Sequence, residues 1–174
     1  MKWSPGAFRR EVKDAVIRLH AKLRTQLENE PLFGFALCTD DDVVTLYQAA
    51  CTASWFKSRS SKSVEEAYNY NDWPLELENH EELYRAVAMM QASHDQYSVD
   101  EEEDLWAQAR DERVFGIAAA LEECREEGLF DDSVLLCMGS TDPLNRRVAE
   151  LSMQAVKRMN SPAIAEMYVK LFGD

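Results

Sequence analysis

The chain has 174 residues, 46% of them apolar, which is enough for a buried core and fits one domain spanning residues 1–174. Its 32 acidic residues against 19 basic ones give a net charge of −13, which repels nucleic acid and anionic membrane surfaces and favours a basic protein partner. No apolar run approaches the ~20 residues of a bilayer span, the first twenty residues lack an apolar signal core, and Cys38, Cys51, Cys124 and Cys137 form no Cys-x-x-Cys pair. A cytoplasmic protein with buried free thiols and no metal or other cofactor is therefore expected.

In chain order, Ser4-Pro5 reads as a cap followed by proline at the first helical position. Phe8, Val12, Ala15, Val16, Leu19, Leu23 and Leu27 then recur at helical spacing, and Pro31 ends the segment. Arg9, Arg10, Lys13, Arg18, Lys22 and Arg24 fill the other faces, as on an ordinary solvated helix.

Leu32–Thr39 is apolar on both faces and reads as a strand covered on both sides. Strict alternation sends Phe33, Phe35 and Leu37 one way and Leu32, Ala36 and Cys38 the other. Gly34 marks a bulge or a close approach. Asp40-Asp41-Asp42 turns the chain, and Val43–Cys51 reads as the return strand. A turn centred at Asp41 sets Phe35 opposite Tyr47 and Cys38 opposite Val44.

The serine-rich basic patch from Lys57 to Lys62 reads as an exposed loop, with a short helix over Glu65–Tyr70. Tyr68, Tyr70 and Trp73 precede Pro74, either lining a binding surface or capping an edge of the core. Asn79 with Glu82, and Ser98 with Glu101, are capping patterns for two helices. The acidic run Asp100, Glu101, Glu102, Glu103 and Asp104 falls on the first turn of the second of these, where the helix dipole favours it. That helix carries Leu105, Trp106, Ala109, Val114, Ile117, Leu121 and Cys124, and Gly128 caps it with Leu129 beside it. Val134–Met138 is a short buried strand, followed by helices capped at Asp142-Pro143 and Ser161-Pro162.

The chemistry-bearing residues do not spell a reaction. Three adjacent aspartates are oxygen ligands of the kind Mg²⁺ or Ca²⁺ takes, but neighbouring strand residues point to opposite faces, and a polar turn accounts for them better. His20, His80 and His94 stand in no metal-binding spacing, Cys38 and Cys137 lie in apolar strands, and no phosphate-cradling glycine loop or Gly-x-Ser-x-Gly is present. A non-enzymatic protein is the leading expectation.

The segment LFGFALCTDDDVVTLYQAACT resembles the opening motif of a bacterial family, domain of unknown function 4303, with an aromatic and small apolar residues, then Cys38-Thr39, the aspartates, and Ala49-Ala50-Cys51-Thr52 closing a strand. The blocks around Tyr70 and Trp73-Pro74, from Ala120 to Phe130, at Val134–Met138 with Asp142, and at Met159-Asn160 look similar as well. Cys51 stands where the family usually has a polar residue, which argues against a functional role there. The resemblance implies small soluble cytoplasmic proteins without an established reaction, some tied to polymorphic-toxin and secretion-system loci as candidate immunity proteins.

The expected fold is α+β, with a three- or four-stranded sheet built on the Leu32–Cys51 hairpin plus Val134–Met138 and topology β-β-α-α-β-α-α after the first helix. The expected function is an acidic immunity-type protein that occludes a basic toxin through Asp40, Asp41, Asp42 and Asp100–Asp104, with Tyr70 and Trp73 as aromatic anchors. The alternatives are a metal-dependent hydrolase using Asp40–Asp42, and a scaffold or homodimeric protein without catalytic activity.

Overall fold

The computed structural model describes residues 3–28, 30–75, 81–96, 103–141 and 145–173. Helix α1 (Pro5–Gln26) begins on Ser4, with proline at its start, and buries the expected stripe of Phe8, Val12, Ala15, Val16, Leu19 and Leu23. Its basic face is occupied by ion pairs. Arg9 and Lys13 reach Glu123, Lys13 also reaches Glu127, Arg18 reaches Glu11, and Lys22 reaches Glu82. Those cations are spent on stabilising the fold's exterior, each pair contributing little in water.

Strand β1 (Leu32–Thr39) is the centre of a three-stranded sheet of order β2-β1-β3. Strand β2 (Tyr47–Thr52) runs antiparallel to it and β3 (Leu135–Ser140) parallel to it. The fold is α+β with an open mixed sheet, and β1 is apolar on both faces because helices and aromatic side chains cover both.

The hairpin differs from the sequence expectation in register. Cys38 pairs with Tyr47 and Phe35 with Ala50, and β2 starts at Tyr47 rather than Val43. Residues 40–46 form a structured loop instead. Val43 takes φ of 56° while its side chain is fully buried, and Leu46 is also buried, so both serve the core from a loop. Thr39 Oγ1 donates to the Thr45 carbonyl at 2.7 Å, closing the loop at its neck.

A second correction follows from the irregularity between Leu32 and Gly34. The extra residue there breaks the period of two. Leu32 therefore joins Phe35 and Leu37 on one face, and Phe33 packs with Ala36 and Cys38 on the other.

The first face is covered by α1, α4 (Tyr84–His94), α5 (Glu103–Glu126) and α6 (Arg146–Met159), which contribute Met90, Ile117, Leu121 and Leu151 among others. The second face carries small residues in rows. Cys51, Gly34 and Leu135 lie side by side, then Ala49, Ala36 and Cys137, then Tyr47, Cys38 and Gly139. Large rings fill the space above them: Trp73 over Gly34, Tyr70 over Gly139, and Tyr168 of α7 (Pro162–Phe172) hydrogen-bonded to Cys137.

Both sheet edges are blunted, which suppresses edge-to-edge aggregation. At the β2 edge Ala50 and Leu75 exchange backbone hydrogen bonds of 3.0 and 3.1 Å. At the β3 edge Asn160 acts as a substitute strand. Its Oδ1 accepts from Leu136 N, and its Nδ2 donates to Leu136 O and Val156 O, all at 2.8 Å.

The basic patch near Lys57 is helical rather than a loop: α2 (Ala53–Ser60) is capped by Thr52, whose Oγ1 accepts from Trp55 N. Helix α3 spans Val64–Tyr68. Helix α5 ends as expected, with Gly128 at φ 80° and Leu129 N bonded to Cys124 O. Asn145 caps α6 through its Oδ1, and α7 buries Ala165 and Tyr168. The caps expected at Asn79, Ser98 and Asp142 lie outside the described residues.

Candidate functional site

The parallel pairing of β1 and β3 brings their C-terminal ends, Thr39 and Ser140, to the same edge of the sheet. In open sheets with parallel strands this is the edge where loops gather into binding sites. Four pieces of the chain meet there: the Asp40–Asp42 turn, Ser140 at the end of β3, Asn145 ahead of α6, and the turn Tyr70–Asp72.

Each aspartate has a distinct position. Asp40 Oδ1 accepts from Val44 N at 2.8 Å, folding the loop on itself. Asp41 Oδ1 accepts from Ser140 Oγ at 2.8 Å, and its carbonyl accepts from Asn145 Nδ2 at 3.2 Å. Asp42 has an exposed side chain, while its carbonyl accepts from Arg113 Nη2 at 2.9 Å. The carboxylates point to different partners, and among the described residues no group of three His, Cys, Asp or Glu side chains forms a potential metal cluster. Nor, among the described residues, does any of the three aspartates form an ion pair, unlike Glu11, Glu82, Glu122, Glu123 and Glu127.

Beneath the turn lies Arg113 of α5, the largest fully buried side chain among the described residues. Its Nη1 donates to Ser93 Oγ of α4 at 3.0 Å. Burial, assisted by Arg110, pulls its pKa down to about 10, and the Asp40, Asp42 and Glu112 carboxylates oppose that fall. The guanidinium stays charged at neutral pH. It ties α4 and α5 to the turn's backbone, leaving the side chains of the turn out of any ion pair among the described residues.

Beside the turn a cavity of about 310 Å³ is lined by Tyr70, Met138, Ser140, Ser152, Met153 and Tyr168, among others. Tyr70 donates its hydroxyl to Ser140 O at 3.1 Å, and burial raises its pKa. Of the two aromatic anchors expected from sequence, only Tyr70 reaches this site. Trp73 is 2% exposed, packed on Gly34 and donating Nε1 to Ala67 O at 3.1 Å, so its ring serves the core. Glu103 and Asp104 are exposed on the first turn of α5, and Asp100, Glu101 and Glu102 lie outside the described residues.

The remaining reactive groups are muted. Burial raises the thiols of Cys51, Cys137 and Cys124, the last to about 12, which disfavours thiolate formation. His20 packs edge-on against Phe130, where burial and Arg24 lower its pKa, and His94 lies beside Asp95 and Trp106. His80 lies outside the described residues.

A family model described as a domain of unknown function (DUF4303) matches residues 12–161. The chain belongs to the DUF4303 family. Within the DUF4303 region fall the whole sheet, the acidic turn, Tyr70, Arg113, Ser140 and Asn145, whereas α7 with Tyr168 lies beyond it. No curated protein and no solved structure matches the chain. Among the described residues no helix is long and apolar enough to cross a membrane.

Arg113, Ser140 and Asn145 are the site residues that sequence reasoning missed. Arg113 had a visible signal: it occupies a position on the stripe Ala109, Arg113, Ile117, Ala120, Cys124, all buried. A charge in the middle of an apolar stripe marks a buried ion with a partner elsewhere. Ser140 and Asn145 carry no such signal, because their roles come from the parallel crossover that sets β3 against β1.

Proposed function

We propose that the protein is a non-enzymatic cytoplasmic binding protein that uses the Asp40–Asp42 turn to engage a basic protein. One observation carries the reading: a loop held from below by buried Arg113 presents carboxylates that form no ion pair among the described residues. Preorganised charge of this kind loses little entropy on docking and steers an oppositely charged partner over about 10 Å at ordinary ionic strength. The net charge of −13 adds to the steering. An immunity role, in which the acidic edge occludes the cleft of a polyanion-directed toxin, is suggested by the resemblance of the chain to a family of which some members are associated with toxin loci.

The test is capture from an extract of the source organism by the tagged protein. A partner of basic isoelectric point is expected at low salt, with release at high salt. Asp42→Lys, at an exposed position, is expected to weaken retention about tenfold or more, with the fold kept at a somewhat lower melting temperature because the new cation lies near Arg113. Retention indifferent to both salt and Asp42→Lys would rule the reading out.

A further inference from the structure

We propose that the cavity beside the acidic turn receives an apolar side chain of a partner segment whose neighbouring Lys or Arg residues meet Asp41 and Asp72. The inference rests on the basic-partner reading and adds a second half to it. Among the described residues the cavity lining includes no Asp, Glu, Lys, Arg or His. Rings and thioethers from Tyr70, Tyr168, Met138 and Met153 make up its apolar wall, beside uncharged polar side chains such as Asn69, Ser140 and Ser152, and methionine walls adapt to differing apolar shapes.

Two lining residues connect that neutral interior to carboxylates outside it. Ser140 Oγ donates to Asp41 at 2.8 Å, and Asn69 Nδ2 donates to Asp72 Oδ2 at 3.0 Å. Asp72 is exposed, and neither aspartate forms an ion pair among the described residues. A hollow whose described lining is uncharged, flanked by two carboxylates that form no ion pair among the described residues, complements an apolar residue flanked by cations. A second copy of the chain is the wrong occupant, since two bodies each of charge −13 repel. A volume of about 310 Å³ takes one large side chain together with the backbone that carries it.

The experiment selects binders to the whole immobilised protein from a library of short random peptides. Enriched peptides are expected to carry Leu, Met, Phe or Trp beside Lys or Arg. Ala149→Trp, which places an indole at an exposed position on the cavity wall, is expected to weaken them about tenfold or more. Should that variant fold poorly, methyl signals of the unaltered protein decide: Met138 and Met153 shift on peptide addition while Met89 and Met90 of α4 stay still. Basic peptides that ignore Ala149→Trp and leave Met138 and Met153 unmoved overturn the cavity's role and leave the acidic turn's role standing. Enrichment without basic residues, or no enrichment at all, overturns the inference, and the extract capture then judges the basic-partner reading separately.

Discussion

Arg113→Ala is expected to destabilise the protein by about 3–5 kcal/mol, the range for removing one member of a buried charged network. The substitution strips Ser93 Oγ and the Asp42 carbonyl of their donor and leaves a cavity where a large, fully buried side chain stood. Ser93 is itself fully buried, so its hydroxyl loses a partner that water does not readily replace. Arg113→Met separates volume from charge. It fills most of the space, and its cost is expected to be about 1–2 kcal/mol, because an apolar replacement also relieves the desolvation of the ion. What the methionine does not restore is the tie to the turn. The Val44 amide, bonded to Asp40 Oδ1, is therefore expected to exchange with solvent faster in Arg113→Met than in the parent, while core amides of β1 are unchanged. Urea unfolding measures the first quantity and amide exchange the second. An Arg113→Ala protein as stable as the parent would refute the bracing role.

Gly34→Ala is expected to cost about 3 kcal/mol despite adding a single methyl group. A Cβ at residue 34 would lie 2.3 Å from the Trp73 ring, far inside contact distance. The indole has nowhere to retreat, since it is 2% exposed and held to Ala67 O through Nε1. Overpacking of this kind ordinarily costs 1–3 kcal/mol (about the upper end here, because the clash is with a rigid ring). Backbone conformation is not the obstacle: Gly128 is the positive-φ glycine among the described residues. The cause is therefore separable by a double-mutant cycle. In a Trp73→Leu background, Gly34→Ala is expected to cost less than about 1 kcal/mol. Equal costs in both backgrounds would show that the glycine serves something other than the ring.

Much of the architecture is legible in residue spacing, and its failures share a cause. The stripe from Phe8 to Leu23 and the cap at Gly128 read correctly because they depend on neighbours within two turns of helix. The sequence marks Gly34 as a bulge or a close approach and the structure has both, yet strict alternation misplaces Leu32 and Phe33, because one extra residue flips every side chain before it. The hairpin register went wrong by the same logic. Val43 and Leu46 look like strand residues, but they reach the core from a loop that Thr39, Asp40 and Arg113 hold in place. The acidic turn itself was visible in the sequence. What holds it was not, since Ser140 and Arg113 come from 99 and 71 residues away along the chain. Trp73 looked like a surface anchor, and only the small residues of β1 opposite it reveal why it is inside.

Photo-crosslinking in the source organism tests the account most directly. A photoreactive residue replaces Thr45, exposed beside the acidic turn, and in a separate protein Glu126, exposed and about 20 Å farther along α5 from Arg113. The account predicts an adduct with a basic protein from position 45, none from position 126, and loss of the first adduct when Asp42→Lys is added. An adduct from position 126 alone, or one from position 45 that survives Asp42→Lys undiminished, would contradict it.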